Sequence, residues 1–320
     1  MDTREGIIVN SNKDYEGFQY DPFTFITFIS LVPFFYIIPT LVVIFKLYRF
    51  FFIHTVIKKE VGINRSVFTV LFFSQICSFV FFLCDLIVIR IPVTGILTSW
   101  CYHQSPNAFL NAIFVTQTYM NYCVMLYPVL FSIIRLVITF FPSRHGKINS
   151  IIFKTVIPAI HLYPLTLLWF MLPALGVCRQ HFPPYKFGAV FIHFIGSYKN
   201  ILNAPPLFLN SAFWMTTCII LNWILHRKLR HLKRRSHNQS SNNKKVEVCL
   251  TLTTSAMFFA YATNLIFLGA FMINYDVATY VVIFRPFCYD FDFCVVPWVF
   301  YLTHPVFKKR TEPRSVIVTS

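Results

Sequence analysis

A seven-span α-helical membrane bundle is the fold class this sequence predicts, and three observations predict it. Charged residues make up 12% of the 320-residue chain while 56% is hydrophobic, with a mean hydropathy of +0.61. A soluble domain carries about 25% charged residues. Half that fraction leaves too little charge to cover a watery surface, so much of the surface must face lipid. The apolar residues also fall into seven runs close to the ~20 residues a helix needs to cross the hydrocarbon core. Finally, Lys and Arg crowd into alternate connections between those runs.

The first 22 residues form a polar, slightly acidic arm containing Asp2, Glu5, Asp14, Glu16 and Asp21. No basic start with an apolar stretch behind it occurs there, so no cleavable leader is read and the first span serves as signal anchor. The spans are Phe25–Phe45, Phe68–Ile89, Leu110–Ile134, Ile151–Leu175, Pro206–Leu225, Cys249–Ile273 and Ala278–Tyr301. Residues 23–303 thus make the bundle, with an extracellular loop at 176–204, a cytoplasmic loop at 226–248 and a cytoplasmic tail at 304–320. Phe187–Ile195 is apolar but too short to cross and is assigned to a structured loop. Pro33, Pro39, Pro128, Pro158, Pro164 and Pro297 interrupt the runs, which a membrane bundle tolerates because neighbouring helices re-satisfy the freed backbone groups. Most of the 39 Phe residues are expected to face lipid, where Phe inserts favourably.

Orientation follows from the cations. Twenty-one of the 28 Lys and Arg residues lie in the first, third and fifth connections and the tail. Six lie on the other side (Arg4, Lys13, Arg90, Arg179, Lys186 and Lys199), leaving Arg285 inside a span. This bias places the N-terminus outside and the C-terminus inside. It also disposes of nucleic acid as the partner of a +16 chain, since the basic residues sit between apolar runs and not on one soluble face; the lipid bilayer is the partner. The stretch His226–Glu247, basic and then Ser/Asn-rich, reads either as a solvated flexible linker or as helix extensions forming a docking surface. The triplets beginning at Asn64 and Asn238 fall on cytoplasmic loops and are expected to stay unglycosylated.

Seven of the nine cysteines lie in or at the ends of spans, where small apolar packing is their usual role. Cys101 and Cys178 instead flank the tops of spans three and four on the oxidising side, where two loop thiols are expected to pair; the alternative is two unpaired loop cysteines. Arg135 ends span three, where it must snorkel or find a partner. Asp85 and Arg285 lie ~6 and ~10 Å below the outer surface at 1.5 Å per residue, close enough to pair if spans two and seven are neighbours. That pair would be a ligand-gated switch or a packing contact. Asp290 and Asp292 lie deeper and point ~200° apart on a helix, so one is expected to face the core, against Gln75 or Asn264. The candidate ligand cavity lies under the second outer loop, among Tyr119, Trp169, Phe213, Trp214 and Phe271, where an aromatic wall suits a small apolar or amphipathic molecule. Such residues are also often core or lipid-facing.

Seven spans, an outer N-terminus, a loop cysteine pair, and Arg135 followed by Pro142 resemble the G-protein-coupled receptor plan. FFYIIPT (Phe34–Thr40), the WC and PN pairs within Trp100–Asn107, LYPVLFSIIR (Leu126–Arg135), FGAVFIHF (Phe187–Phe194) and DFCVVPWVFYLTHPVFKK (Asp292–Lys309) are similar to the nematode serpentine chemoreceptors of the srg superfamily, in the manner of its class U branch. The similarity covers nearly the whole chain. It implies a small-molecule ligand, a heterotrimeric G protein facing Arg135, Pro142 and Arg144, and a plasma-membrane home in sensory-neuron cilia. Rhodopsin-like details do not transfer. Ile134, not an acid, precedes Arg135; no proline lies between Cys249 and Ile273; Pro297 and Tyr301 occur without an NPxxY; and Cys101 lies 34 residues before Arg135.

No HExxH, CxxC pair, P-loop, GxSxG or GxGxxG is present, and His226, His231 and His237 lack metal-site spacing. No enzyme, metal or cofactor is therefore expected. A seven-span ligand-gated channel or transporter is the competing class. Odorant-receptor-type channels would place the N-terminus inside, and transporters show repeats with Gly-rich broken helices, against nine glycines and no detectable repeat here.

Overall fold

The computed structural model describes residues 7–53, 65–181, 183–235, 241–273, 275–304 and 307. Asn64, Asn238 and most of the tail lie outside the described residues. Six helices are long and apolar enough to cross a membrane: α1 (Phe25–Phe51), α2 (Arg65–Asp85), α4 (Ala108–Phe140), α5 (His145–Leu168), α6 (Ala204–Arg235) and α7 (Ser241–Ile273). The short helix α3 (Thr98–His103) precedes α4. The seventh span is divided among α8 (Tyr275–Asp290), a π-helical turn (Phe291–Val295) and α9 (Val296–Thr303), which together run unbroken from Tyr275 to Thr303. A second π turn, Leu86–Arg90, extends α2.

Local chemistry explains where these helices start and what they tolerate. The Thr24 hydroxyl accepts from the Thr27 N–H, and the Asn107 side chain accepts from the Leu110 N–H, so spans one and three begin with capped N-termini. Pro33, Pro39, Pro128, Pro158 and Pro164 all sit inside helices. Phe28, Phe35, Ile38 and Phe45 project outward from α1, as lipid-facing side chains do, while Val43, Leu47 and Phe50 turn inward.

Several boundaries depart from the sequence expectation, and two of them reshape the connections. Span four ends in a 3-10 turn at Trp169–Met171, short of Leu175, which instead opens a strand. Apolar composition alone does not separate a helix end from a buried strand, and Pro173 donates no N–H with which to continue the helix. Span five does not stop at Leu225. It runs on to Arg235, and α7 starts at Ser241, because Lys, Arg and Leu are good helix formers in water. Most of the basic connection is therefore helix and not flexible linker.

One end of the bundle carries a lid. Strands β1 (Leu175–Gln180) and β2 (Val190–Ile195) pair antiparallel, from Leu175 opposite Ile195 to Gln180 opposite Val190. β1 is fixed to the bundle by the Cys101–Cys178 disulfide, with a Cα separation of 5.8 Å, and by reciprocal backbone bonds between Asn107 and Gly176 of 3.1 and 2.9 Å. Gly176 lies so close to α4 that a Cβ would collide with Leu110 and the Asn111 backbone. The N-terminal arm then lies on the hairpin. Ile8 bridges to Arg179, the Gln180 N–H donates to the Ile7 carbonyl at 2.9 Å, and the Tyr15 hydroxyl reaches the Gln180 side chain at 3.0 Å. Val9 and Tyr15 are fully buried in a cluster with Val88, Leu110, Val190 and Ile192.

Candidate functional site

Beneath the lid, the interior is polar where a lipid-embedded bundle can least tolerate it, so each buried polar group needs a partner. Arg90, 3% exposed, organises the first cluster. Its Nε donates to Asp85 at 2.6 Å, while Nη1 and Nη2 donate to both Asp290 oxygens at 2.8 and 2.6 Å. Nη2 also reaches the Pro286 carbonyl at 3.1 Å. Gln117 donates to the second Asp85 oxygen at 2.7 Å, and the Tyr36 hydroxyl donates to Asp290. Spans one, two, three and seven are thereby tied through one guanidinium, whose face also lies 4.8 Å from the Phe82 ring centre.

This arrangement corrects two expectations. Arg90 belongs to the buried core and not to an outer loop, and Asp85 pairs with Arg90 and not with Arg285. The cause is local. In a π turn the backbone bonds run from i to i+5, as in the 2.9 Å bond from the Ile91 N–H to the Leu86 carbonyl. Residues five apart are then stacked, which sets Arg90 over Asp85; in a regular α-helix they would diverge by ~140°. An acid and an arginine five apart at the end of an apolar run was the available signal.

Arg285 rests instead on aromatic faces, 4.6 Å from the Phe267 ring centre and 5.0 Å from that of Tyr289. Asp290 and Asp292 are both buried, not one of the two. They do point apart, but span seven is covered on several sides. Asp290 faces Tyr36 and Arg90, while Asp292 accepts from the Ser78 hydroxyl, and its backbone carbonyl accepts from Gln75 Nε2 at 3.2 Å. Asp292 lines a small central cavity with Asn121, Asn264, Tyr261 and Tyr289.

At the far end of span three, Arg135 does not snorkel. It is 3% exposed and bridges to α7, donating to Glu247 at 3.1 Å, Thr251 at 3.0 Å, Thr254 at 3.0 Å and the Leu250 carbonyl at 3.2 Å. A cavity of about 360 Å³ opens beside it, lined by Cys218, Asn222, Leu225, Thr254 and Phe258. Pro142 and Arg144 lie in the turn that follows α4, where the Pro142 carbonyl contacts His145 Nδ1 at 2.7 Å.

The five aromatic residues expected to line a ligand pocket are scattered, with Phe213 exposed on α6 and its ring 4.9 Å from that of Trp214. The Tyr119 hydroxyl donates to the His161 carbonyl at 2.9 Å in the contact between spans three and four. Trp214 donates to Asn210 at 2.9 Å and meets Tyr163 edge-on. Trp169 is half exposed beside Tyr198, and Phe271 is exposed on α7. Periodicity shows that such residues lie on helices but not which face each helix turns inward.

None of these clusters juxtaposes a nucleophile with a base and an oxyanion donor. They join helices across the bundle. The family model described as serpentine type 7TM GPCR chemoreceptor Sru matches residues 9–310. The chain belongs to the Sru family. Serpentine receptor class U-26 of Caenorhabditis elegans is 34% identical over 264 residues, which cover 80% of this chain and 88% of that protein. The class U resemblance read from the motifs therefore holds. Sru proteins are receptors of the serpentine type and not enzymes, and this Sru chain is an integral membrane protein by its apolar helices and by its family.

Proposed function

We propose that the chain is a chemosensory G-protein-coupled receptor of the plasma membrane, in sensory cilia. Its lid faces outward, and it binds an external small molecule and signals by helix rearrangement. The observation that supports this reading best is the Arg135 bridge between spans three and six, set at the end of the bundle opposite the lid. A contact that holds two helices together beside a 360 Å³ cavity is a two-state element, able to open inward when a ligand shifts the outer half. Arg135 with Pro142 and Arg144 then faces the heterotrimeric G protein.

The bridge ends on a glutamate that is one-third exposed, so its ion pair contributes about 1 kcal/mol, or about fivefold in a two-state population. Glu247→Gln should accordingly raise ligand-independent signalling several-fold in transfected cells. Calcium responses to candidate odorants should vanish under a G-protein inhibitor. A ligand-gated current that survives the inhibitor would mean a channel and would overturn the proposal.

A further inference from the structure

The arginines that reach into the bundle, two buried and Arg285 half-buried, are not alike. Arg90 meets two aspartates and Arg135 meets Glu247. Arg285 has no carboxylate within ion-pair distance among the described residues. Its Nη2 is 3.4 Å from the Tyr289 hydroxyl, and its Nε is buried without an acceptor. A guanidinium carries five N–H donors in a planar fork, and among the described residues a phenol at 3.4 Å leaves that fork open.

The lid supplies a second group in the same condition. His181, just after β1, stacks on Tyr185 at 4.3 Å and Phe191 at 4.6 Å, and its buried Nδ1 has no partner among the described residues. Burial, and then the nearby charge of Arg285, push this imidazole down to about 4, so it is neutral at physiological pH and can donate from one nitrogen. Around the two groups lie apolar walls. Phe267, under the guanidinium, packs with Ile283 against Val93, Tyr185 and Ala189. Buried polar atoms of this kind are satisfied in nearly every native structure, which leaves a partner to be identified.

We propose that Arg285 and His181 form the anchor for the acidic group of the ligand, and that the receptor takes small amphipathic carboxylates whose apolar part lies against Tyr185 and Phe267. This deepens the receptor reading above and rests on it. A carboxylate matches the arginine fork with two parallel bonds. Charge favours it over a phosphate: the Asp85–Arg90–Asp290 cluster carries one net negative charge, which offsets Arg285 at a distance. A guest with a single charge therefore adds less uncompensated charge to a dry interior than a dianion does. Such a ligand would draw Arg285 away from Tyr289, which lines the central cavity with Asn121 and Asp292, giving the outer event a route inward.

The test uses the purified full-length receptor in detergent and measures its melting temperature with octanoate, decanoate and phenylacetate, each beside its methyl ester. At least one acid should stabilise the wild type by several degrees while its ester does not. Arg285→Gln should weaken that acid at least tenfold with its own unliganded melting point little changed, Arg285→Lys should weaken it less, and His181→Ala should weaken it in part. Equal stabilisation by acid and ester, no shift with any acid, or an undiminished shift in Arg285→Gln would each overturn the proposal. If Arg285→Gln does not fold, the acid–ester comparison on the wild type decides. The receptor reading fails separately: acids that bind but evoke no G-protein signal sink that reading alone, and signalling evoked only by neutral compounds sinks this one alone.

Discussion

Arg90 is the residue on which the interior depends most. Removing one partner of a buried ion pair leaves its counter-charge stranded, at a cost of about 3–5 kcal/mol, whereas replacing the whole group with apolar residues of similar volume is often neutral. Arg90→Ala should therefore abolish surface expression or lower the melting temperature by many degrees, while Arg90→Met combined with Asp85→Leu and Asp290→Leu should regain most of the loss. A triple variant no better than Arg90→Ala would show that hydrogen bonds to Tyr36 and Gln117, and not charge balance, hold the cluster together. The sequence made Asp85, Arg285, Asp290 and Asp292 visible as costly charges inside apolar runs. It did not reveal how they pair, because pairing depends on helix phase, and one π turn rotates everything beyond it. Of the two readings open for Arg135, snorkelling or a partner, the structure has the partner, which the sequence could not name for a related reason. Its acceptors, Glu247, Thr251 and Thr254, come from a helix more than a hundred residues away.

At the scale of elements, the spans were legible because crossing a membrane fixes a length of apolar chain whatever its packing. The hairpin was legible only as a structured segment. VFIHFI alternates between buried and half-buried positions along β2, but its partner strand holds Arg179 and Gln180, which do not read as core. The structure shows why the hairpin sits firmly, with a disulfide, a glycine pressed against α4 and the arm on top. It also supplies a pH dependence. His181 is neutral in the seated hairpin, with its pKa pushed from 6.5 down to about 4, while a detached hairpin would take up a proton below 6.5. Seating is thus fully favoured above pH 6.5 and weakens as pH falls toward 4, by at most about 3 kcal/mol. Hydrogen exchange of the hairpin amides, corrected for intrinsic rates, should show protection falling between pH 7 and 5 in the wild type and staying flat in His181→Gln.

For the molecule as a whole, an odd number of crossings and a one-sided distribution of Lys and Arg lead to one expectation. A tag ahead of Ile7 should be reached by antibody on intact cells, and a tag after Ser320 only after permeabilisation. Both tags on one face would mean an even number of crossings and would overturn the seven-span count. The seating of the arm also dictates an order of assembly. Tyr15 bonds to Gln180, 165 residues further along the chain. At the usual elongation rates of about 5–20 residues per second, the arm emerges roughly ten to thirty seconds before its seat has been synthesised. During that interval Val9 and Tyr15 have nothing to bury against, so the arm takes its place only after the hairpin exists, and the beginning of the chain closes last over its middle.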